Sequence, residues 1–183
     1  MDKIDIIVGV MEAALNEKPE QVNNLLAEYP FEKREYEARN YSNRVKMDQF
    51  RGDGFIDRYS GEKLLNPGVL RCISELFPEK FPFQPHWKMS ECHIAYWELT
   101  PTIDHIVPIA RGGKDNSDNW ATTSMMHNAI KSNWTLEQLQ WRLYDPGDIT
   151  EWDGATGLFK ELVERQPELK NNRYIAEWYR LSE

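Results

Sequence analysis

The N-terminal residues of the chain alternate apolar and polar side chains with a helical period. Over residues 2–16 an apolar side chain returns every three or four positions, which predicts an amphipathic helix. The recurring residues are Ile4, Ile7, Val8, Met11 and Leu15. Pro19 suits the first turn of a second helix, which we expect to end before Pro30 because a residue that precedes proline avoids helical angles.

Residues 31–50 carry charges of mixed sign with a few apolar side chains between them. This pattern is consistent with a long helix, and we interpret it mainly as a solvated face. The alternative interpretation makes its basic side chains a contact surface for the DNA backbone. Those side chains are Lys33, Arg34, Arg39, Arg44 and Lys46.

Further helices are predicted between Asn66 and the C-terminus. Asn66 and Pro67 supply a cap and a first-turn residue for one helix. Thr135 and Gln138 have the spacing of a capping box and predict the start of another. Apolar residues at helical spacing predict two more helices close to the C-terminus.

The stretch Pro101–Asn133 combines two short β-branched segments with a helix-like segment. The first segment, 102–109, leads into a turn at Gly112-Gly113. The second segment covers 120–123, and a helix is predicted over 125–131. This order predicts a β-hairpin followed by a helix, with polar groups converging where the three pieces meet.

Composition favours one folded domain with helical extensions. The chain has 183 residues, of which 40% are hydrophobic, and this is enough for a core. No apolar run reaches the length of a membrane span, and Asp2 and Asp5 stand where a signal peptide would be positively charged. We therefore expect a cytoplasmic protein without a membrane partner.

The net charge is −8 and the isoelectric point is near 5.1. Indiscriminate nucleic-acid binders are usually basic, so the acidic balance counts against that class. It does not exclude a nuclease, because a bound cation offsets part of the acidity at the site.

Five polar elements of the 101–133 stretch follow one another at defined spacing. They are Asp104-His105 with Pro108, the pair Gly112-Gly113, Asn119, Asn128 and Lys131. This series resembles the motif of the HNH nuclease family, whose fold is the ββα-metal finger. The resemblance covers the active-site motif and not the flanking segments.

The resemblance implies a role for each matching residue. His105 would be the general base that takes a proton from the attacking water, a task suited to a side chain that titrates near neutral pH. Asp104 and Asn128 would hold one divalent cation, Mg²⁺ or alternatively Mn²⁺, through hard oxygen ligands. Asn119 would bridge the loop and orient the histidine. Because neighbours in a regular strand point to opposite faces, the strand must bend or end at Asp104-His105.

Three basic residues near the motif are assigned to the nucleic acid. Lys131 lies on the predicted helix and is expected to contact a phosphate. Arg111 and Lys114 lie in the hairpin loop, from which they would reach the DNA backbone. Asp115 and Asp118 are interpreted as loop-turn residues.

Many HNH proteins carry two Cys-x-x-Cys pairs that bind a structural zinc ion. In this chain the second pair falls on Ser124 and His127, and the first pair is absent too. We therefore expect no structural zinc and expect the flanking helices, the C-terminal aromatic residues above all, to stabilise the finger. His127 is also the alternative to Asn128 as the last metal ligand.

Together these features predict a mostly helical α+β protein in which a ββα-metal (HNH) finger is embedded among N- and C-terminal helices. We predict an N-terminal helical region at 1–50, a nuclease core at 51–144 and a C-terminal helical region at 145–183 that packs on the core. The predicted function is metal-dependent hydrolysis of DNA phosphodiester bonds.

Two other interpretations stay open at this point. A non-catalytic HNH-like module would bind nucleic acid or, given the acidic balance, a protein. An RNA-directed nuclease would differ from the first prediction in its substrate alone. DNA is the expected partner, and a homodimer or a protein that supplies sequence specificity also stays open.

Overall fold

The computed structural model describes residues 1–31 and 41–183. The predicted DNA-contacting residues Lys33, Arg34 and Arg39 lie outside these described residues. The chain divides into two compact units, Met1–Asn40 and Tyr41–Glu183. We call them unit 1 and unit 2.

Unit 1 pairs two helices, α1 (Lys3–Leu15) and α2 (Pro19–Glu28). The two helices approach closely at Gly9, where an added Cβ would lie 3.2 Å from the Leu25 side chain. The buried residues of α1 are Ile6 and Ala13. The predicted apolar stripe of α1 is therefore not the face that packs against α2. The packed face carries Gly9, which has no side chain and so lets α2 approach closely. The members of the predicted stripe, Ile4, Ile7, Val8, Met11 and Leu15, are exposed.

Unit 2 is mostly helical with one two-stranded antiparallel sheet, which confirms the predicted mixed, mostly helical class. Its elements are α3 (Asn43–Gly52), α4 (Pro67–Leu76), α5 (Ala95–Leu99), β1 (Pro101–His105), β2 (Trp120–Ser124), α6 (Met125–Lys131), α7 (Leu136–Leu139), α8 (Thr156–Arg165) and α9 (Arg173–Leu181). Short 3₁₀ turns lie at Met89–Glu91, Ile109–Arg111, Ser117–Asn119 and Pro167–Asn171. Within the described ranges, no helix is long and apolar enough to cross a membrane.

Side-chain caps explain where several helices begin. Asn66 Oδ1 accepts a hydrogen bond from the backbone N–H of Gly68 at 3.0 Å, and Pro67 occupies the first helical position of α4. The predicted capping box of Thr135 and Gln138 is present at the start of α7.

Helix α3 runs through residue 50, where the sequence analysis placed a boundary. Its residues Met47 and Phe50 are buried in the core of unit 2, and Arg44 is exposed and forms an ion pair with Asp48. The helix therefore belongs to the fold that carries the motif.

The β-hairpin places Asp104 and His105 at the end of β1 that leads into the connecting loop. In the antiparallel register, Asp104 lies opposite Ala121 and His105 opposite Trp120. Strand β1 ends at His105, earlier than the predicted segment. Helix α6 begins directly after β2, where Ser124 Oγ accepts a hydrogen bond from the backbone N–H of His127.

Two carboxylates and one backbone amide form hydrogen bonds with the edge of β2 that does not face β1. Asp53 accepts from the backbone N–H of Thr122 at 2.7 Å, and Asp57 accepts from that of Ser124 at 2.8 Å. The N–H of Arg58 donates to the Thr122 carbonyl at 2.8 Å. These contacts satisfy an edge that a third strand would otherwise occupy.

Two clusters of buried side chains lie on either side of α4. The larger one joins α3 and α4 to the C-terminal helices, with Phe50 stacked on Trp178 at a ring-centroid distance of 6.4 Å. Its members are Met47, Phe50, Phe55, Cys72, Phe159, Val163, Leu169, Ile175, Trp178 and Leu181. The smaller one contains Leu70, Cys92, Ala95, Tyr96 and Trp97.

We predict that the C-terminal helices contribute a large share of the stability of unit 2. Ile175 on α9 is fully buried, so Ile175→Ala should lower the free energy of unfolding by about 2–5 kcal/mol. Leu158 on α8 is 72% exposed, so Leu158→Ala should change it by less than about 0.5 kcal/mol. Urea unfolding of both variants checks this, and equal effects would contradict the packing described above.

Candidate active site

The ammonium group of Lys131 joins the end of α6 to the end of β1. The side chain is fully buried, and Nζ lies 2.7 Å from Asp104 Oδ2. The same Nζ donates to the backbone carbonyl of His105 at 2.6 Å. Lys131 was expected to contact a phosphate, but its ammonium group is buried in the protein. The helical turn that carries Lys131 faces the interior.

Tyr59 completes the surroundings of Asp104. Its hydroxyl donates to Asp104 Oδ2 at 2.7 Å, and its ring lies under the Lys131 ammonium. Burial raises the pKa of Tyr59, and the nearby Asp104 carboxylate raises it further. The hydroxyl therefore stays protonated and serves as a donor to this carboxylate.

The side chain of His105 contacts a different set of residues. Its Nε2 lies 2.9 Å from Asp115 Oδ1 and 3.3 Å from the hydroxyl oxygen of Tyr41. The ring is almost covered, with 5% of the side chain exposed. Asp104 and His105, neighbours at the end of β1, thus have different hydrogen-bond partners.

Asp115 collects three donors on a single oxygen. Besides His105, the Tyr41 hydroxyl and the Trp120 Nε1–H both donate to Oδ1. The hydrogen bond from Tyr41 is the largest cause that lowers the pKa of Asp115 to about 2, partly opposed by burial, and those from His105 and Trp120 add to it. The carboxyl group is therefore ionised at neutral pH.

Asn119 bridges the loop between the two strands. Its amide donates to the carbonyls of Val107 and Lys114 at 2.9 and 2.8 Å, and its oxygen accepts from the Val107 N–H. An added Cβ on Gly113 would lie 1.8 Å from the Val107 carbonyl oxygen, so glycine is required for this close approach. The loop that carries Asp115 is therefore fixed at both ends.

The two candidates for the last metal ligand point to different places. Asn128 Nδ2 donates to Thr102 Oγ1 at 3.0 Å and to the Ile103 carbonyl, so Asn128 lies against β1 next to Asp104. His127 Nδ1 lies 2.7 Å from Asp57 Oδ2. This geometry favours Asn128 as the partner of Asp104, and ligation itself stays a prediction.

The two loop cations lie at the surface. Arg111 is exposed, donates through Nε to the Asn133 carbonyl at 2.6 Å and lies 5.9 Å from the Trp134 ring centre. Lys114 is also exposed. Both are accessible to a phosphate backbone, and such contacts stay a prediction.

Asp57, Tyr59 and Asp115 were not recognised from the sequence as site residues. Asp57 lies 67 positions before Ser124, so no local spacing pointed to their contact. The hydrogen bonds of Asp57 to Ser124 and His127 connect the two segments. No local pattern distinguishes Asp115 or Tyr59 from ordinary loop residues.

The described residues include no group of three or more His, Cys, Asp or Glu side chains placed to hold a metal ion. Any cation at this site would therefore depend on amide, backbone or water oxygens in addition to Asp104.

No protein-family model, no curated protein and no solved structure matches this chain. The likeness to HNH nucleases is therefore a likeness of motif, carried by Asp104, His105, Asn119 and Asn128.

We predict that Lys131→Met lowers the free energy of unfolding by about 3–5 kcal/mol, because it leaves the buried Asp104 carboxylate without its ion-pair partner. Lys114→Met removes the same charge from an exposed loop and should cost less than about 0.5 kcal/mol. Urea unfolding at neutral pH measures both. Equal stability of Lys131→Met and the wild type would contradict the buried ion pair.

We predict that the stabilisation by Asp57 is lost in acid. Burial raises the pKa of Asp57, but hydrogen bonds from His127, Ser124 and Tyr59 lower it, and the net pKa lies below 3.8. A carboxyl group with a lowered folded pKa stabilises the fold above its unfolded pKa and stops doing so as the pH falls through the folded value. The difference in unfolding free energy between wild type and Asp57→Asn should therefore narrow below pH 3.8. A difference that did not change with pH would rule this out.

Proposed function

We propose that unit 2 is a metal-dependent endonuclease of the HNH type that hydrolyses DNA phosphodiester bonds. The observation that carries the proposal is the hairpin β1–β2 followed directly by α6, with His105 at the end of β1 and its ring held through Nε2. Asn128 on α6 donates to the carbonyl of Ile103, the residue before Asp104 on β1. This arrangement supports the roles that the HNH resemblance assigns, with His105 as the base and Asp104 and Asn128 as metal ligands.

The donors of Asp104 and Asn128 fit a hard divalent cation in kind. Among the described residues, the contacts of the Asp104 carboxylate fall on Oδ2, which leaves Oδ1 for a ligand bond. Asn128 uses its amide nitrogen toward β1, which leaves its oxygen. These two oxygens would hold Mg²⁺, or alternatively Mn²⁺. The chemistry supplied by such an ion is stabilisation of charge on the scissile phosphate and the departing oxygen.

The side chains of the chain supply the remaining steps. His105 accepts the proton of the water that attacks phosphorus. Its ring is nearly covered, which shields the imidazole from bulk solvent. Arg111 and Lys114, exposed on the same hairpin loop, contact the phosphate backbone and position it. By the family resemblance, the products carry 5′-phosphate and 3′-hydroxyl ends.

A non-catalytic binding module is the second candidate. One observation favours it. Asp104 already bonds to both Lys131 and Tyr59, and the Lys131 ammonium balances the charge of the carboxylate within the protein. The net charge of −8 points in the same direction, since it favours a protein partner over a nucleic acid. The two candidates differ in whether the protein cleaves DNA.

We predict that the wild type nicks supercoiled plasmid DNA with Mg²⁺ or Mn²⁺ and not with EDTA. His105→Ala should lower the cleavage rate about 10²- to 10⁴-fold, the usual contribution of general acid–base catalysis. His86→Ala is the matched control, because His86 is exposed and outside the hairpin, and it should cleave at the wild-type rate.

The same assay separates the alternatives. No cleavage by folded wild type with either metal would favour the binding module, and a duplex RNA substrate cleaved in place of DNA would identify an RNA-directed enzyme. Equal rates for wild type and His105→Ala would remove His105 from the role of general base.

A further inference from the structure

We propose that Asp115 is the positioning residue for His105: its carboxylate determines which ring nitrogen carries the proton and leaves the other nitrogen to act as the base. This inference rests on the proposed function, in which His105 takes a proton from water. It assigns a role to a loop residue that the sequence pattern presents as an ordinary turn aspartate.

The geometry is a carboxylate–imidazole pair built on the hairpin. Asp115 Oδ1 lies 2.9 Å from His105 Nε2, and Asp115 belongs to the loop that follows β1, 10 positions after His105. Asn119 and Gly113 hold this loop against the Val107 carbonyl. The carboxylate therefore stands at a fixed place relative to the ring.

The protonation pattern follows from the hydrogen bonds. An ionised carboxylate accepts hydrogen bonds and donates none, so a neutral His105 must carry its hydrogen on Nε2 to make this contact. The Tyr41 hydroxyl donates its proton to Asp115, so its oxygen faces Nε2 as an acceptor and reinforces the same arrangement. The lone pair of the neutral imidazole then lies on Nδ1.

Asp115 is itself held in the accepting orientation. The Trp120 indole N–H, which is a donor only, lies 2.9 Å from Oδ1, the same oxygen that contacts His105. Trp120 is also the cross-strand partner of His105, and its ring packs edge-on against Tyr41. The His105 ring, the Tyr41 hydroxyl and the Trp120 indole thus all direct donors toward position 115, which must be occupied by an acceptor.

Substitutions at position 115 distinguish a residue that positions the His105 ring from a residue that only shapes the loop. In Asp115→Asn, the donors of Tyr41 and Trp120 keep the amide oxygen directed toward the ring, so the acceptor for Nε2–H is retained. In Asp115→Ala the acceptor is lost. Asp118→Ala removes an exposed carboxylate from the same loop and serves as the control.

The test is nuclear magnetic resonance of the His105 ring in ¹⁵N-labelled full-length protein, assigned with His105→Ala, together with the plasmid assay. At a pH at which the ring is neutral, the wild type is expected to carry its ring hydrogen on Nε2, protected from exchange, and none on Nδ1. Asp115→Asn and Asp118→Ala should keep this signal, and Asp115→Ala should lose it to exchange with water. In the cleavage assay, Asp115→Ala should lower kcat about tenfold or more with KM unchanged, within the range of general base catalysis, and Asp115→Asn should restore most of the rate.

The outcomes distinguish this inference from the proposed function. A wild-type ring that is protonated on Nδ1 only, or Asp115→Ala that keeps the protected Nε2–H proton, overturns the inference whether or not DNA is cleaved. Wild-type kcat in Asp115→Ala overturns it as well. If the wild type fails to cleave while its Nε2–H signal depends on Asp115 as described, the proposed function fails and the control of the ring by Asp115 stands.

Discussion

The buried contact between Lys131 and Asp104 is the constraint on which the candidate site depends. Moving an ammonium group out of water is costly, and a single carboxylate rarely offsets that cost. Here the His105 carbonyl provides a further acceptor for Lys131, and the Tyr59 hydroxyl provides a further donor to Asp104. The same ammonium therefore fixes α6 against the end of β1, sets the backbone at His105 and leaves one Asp104 oxygen for another ligand. The placement of the Asp104 side chain and of the His105 backbone thus depends on one buried ammonium group.

Hydrogen bonds around Asp57 hold the junction of β2 and α6. Asp57 accepts from the Ser124 N–H and contacts His127, and Thr123 Oγ1 donates to its other oxygen. These contacts tie the segment before α4 to the junction of β2 and α6. Hydrophobic packing supplies the rest, since Phe50 on α3 meets Trp178 on α9. A polar cluster of this kind must be fully satisfied to be stable in a protein interior, and the bonds of Asp57 meet that requirement.

Much of the local structure could be predicted from the sequence, because caps and short-range periods are written in neighbouring residues. The Asn66-Pro67 start, the Thr135 capping box and the order of strand, strand and helix are of this kind. The partners of Asp104 and His105 could not be predicted, because Tyr59 is 45 positions from Asp104 and Tyr41 is 64 from His105. The burial of Lys131 could not be predicted either, because α6 is short and only the tertiary fold determines which side of this helix is covered. The sequence predicted the helix α1 but not its covered face, which carries the small residues Gly9 and Ala13.

Calorimetric titration of Mn²⁺ into the folded, full-length protein tests the proposed metal site. The proposed nuclease needs one cation per chain, held by oxygens of Asp104 and Asn128. We predict one binding event in the wild type and in His105→Ala, and loss of that event in Asn128→Leu, whose fold is checked by its unfolding curve. A folded wild type that binds no Mn²⁺, or an Asn128→Leu variant that binds it as the wild type does, would contradict the proposed metal site.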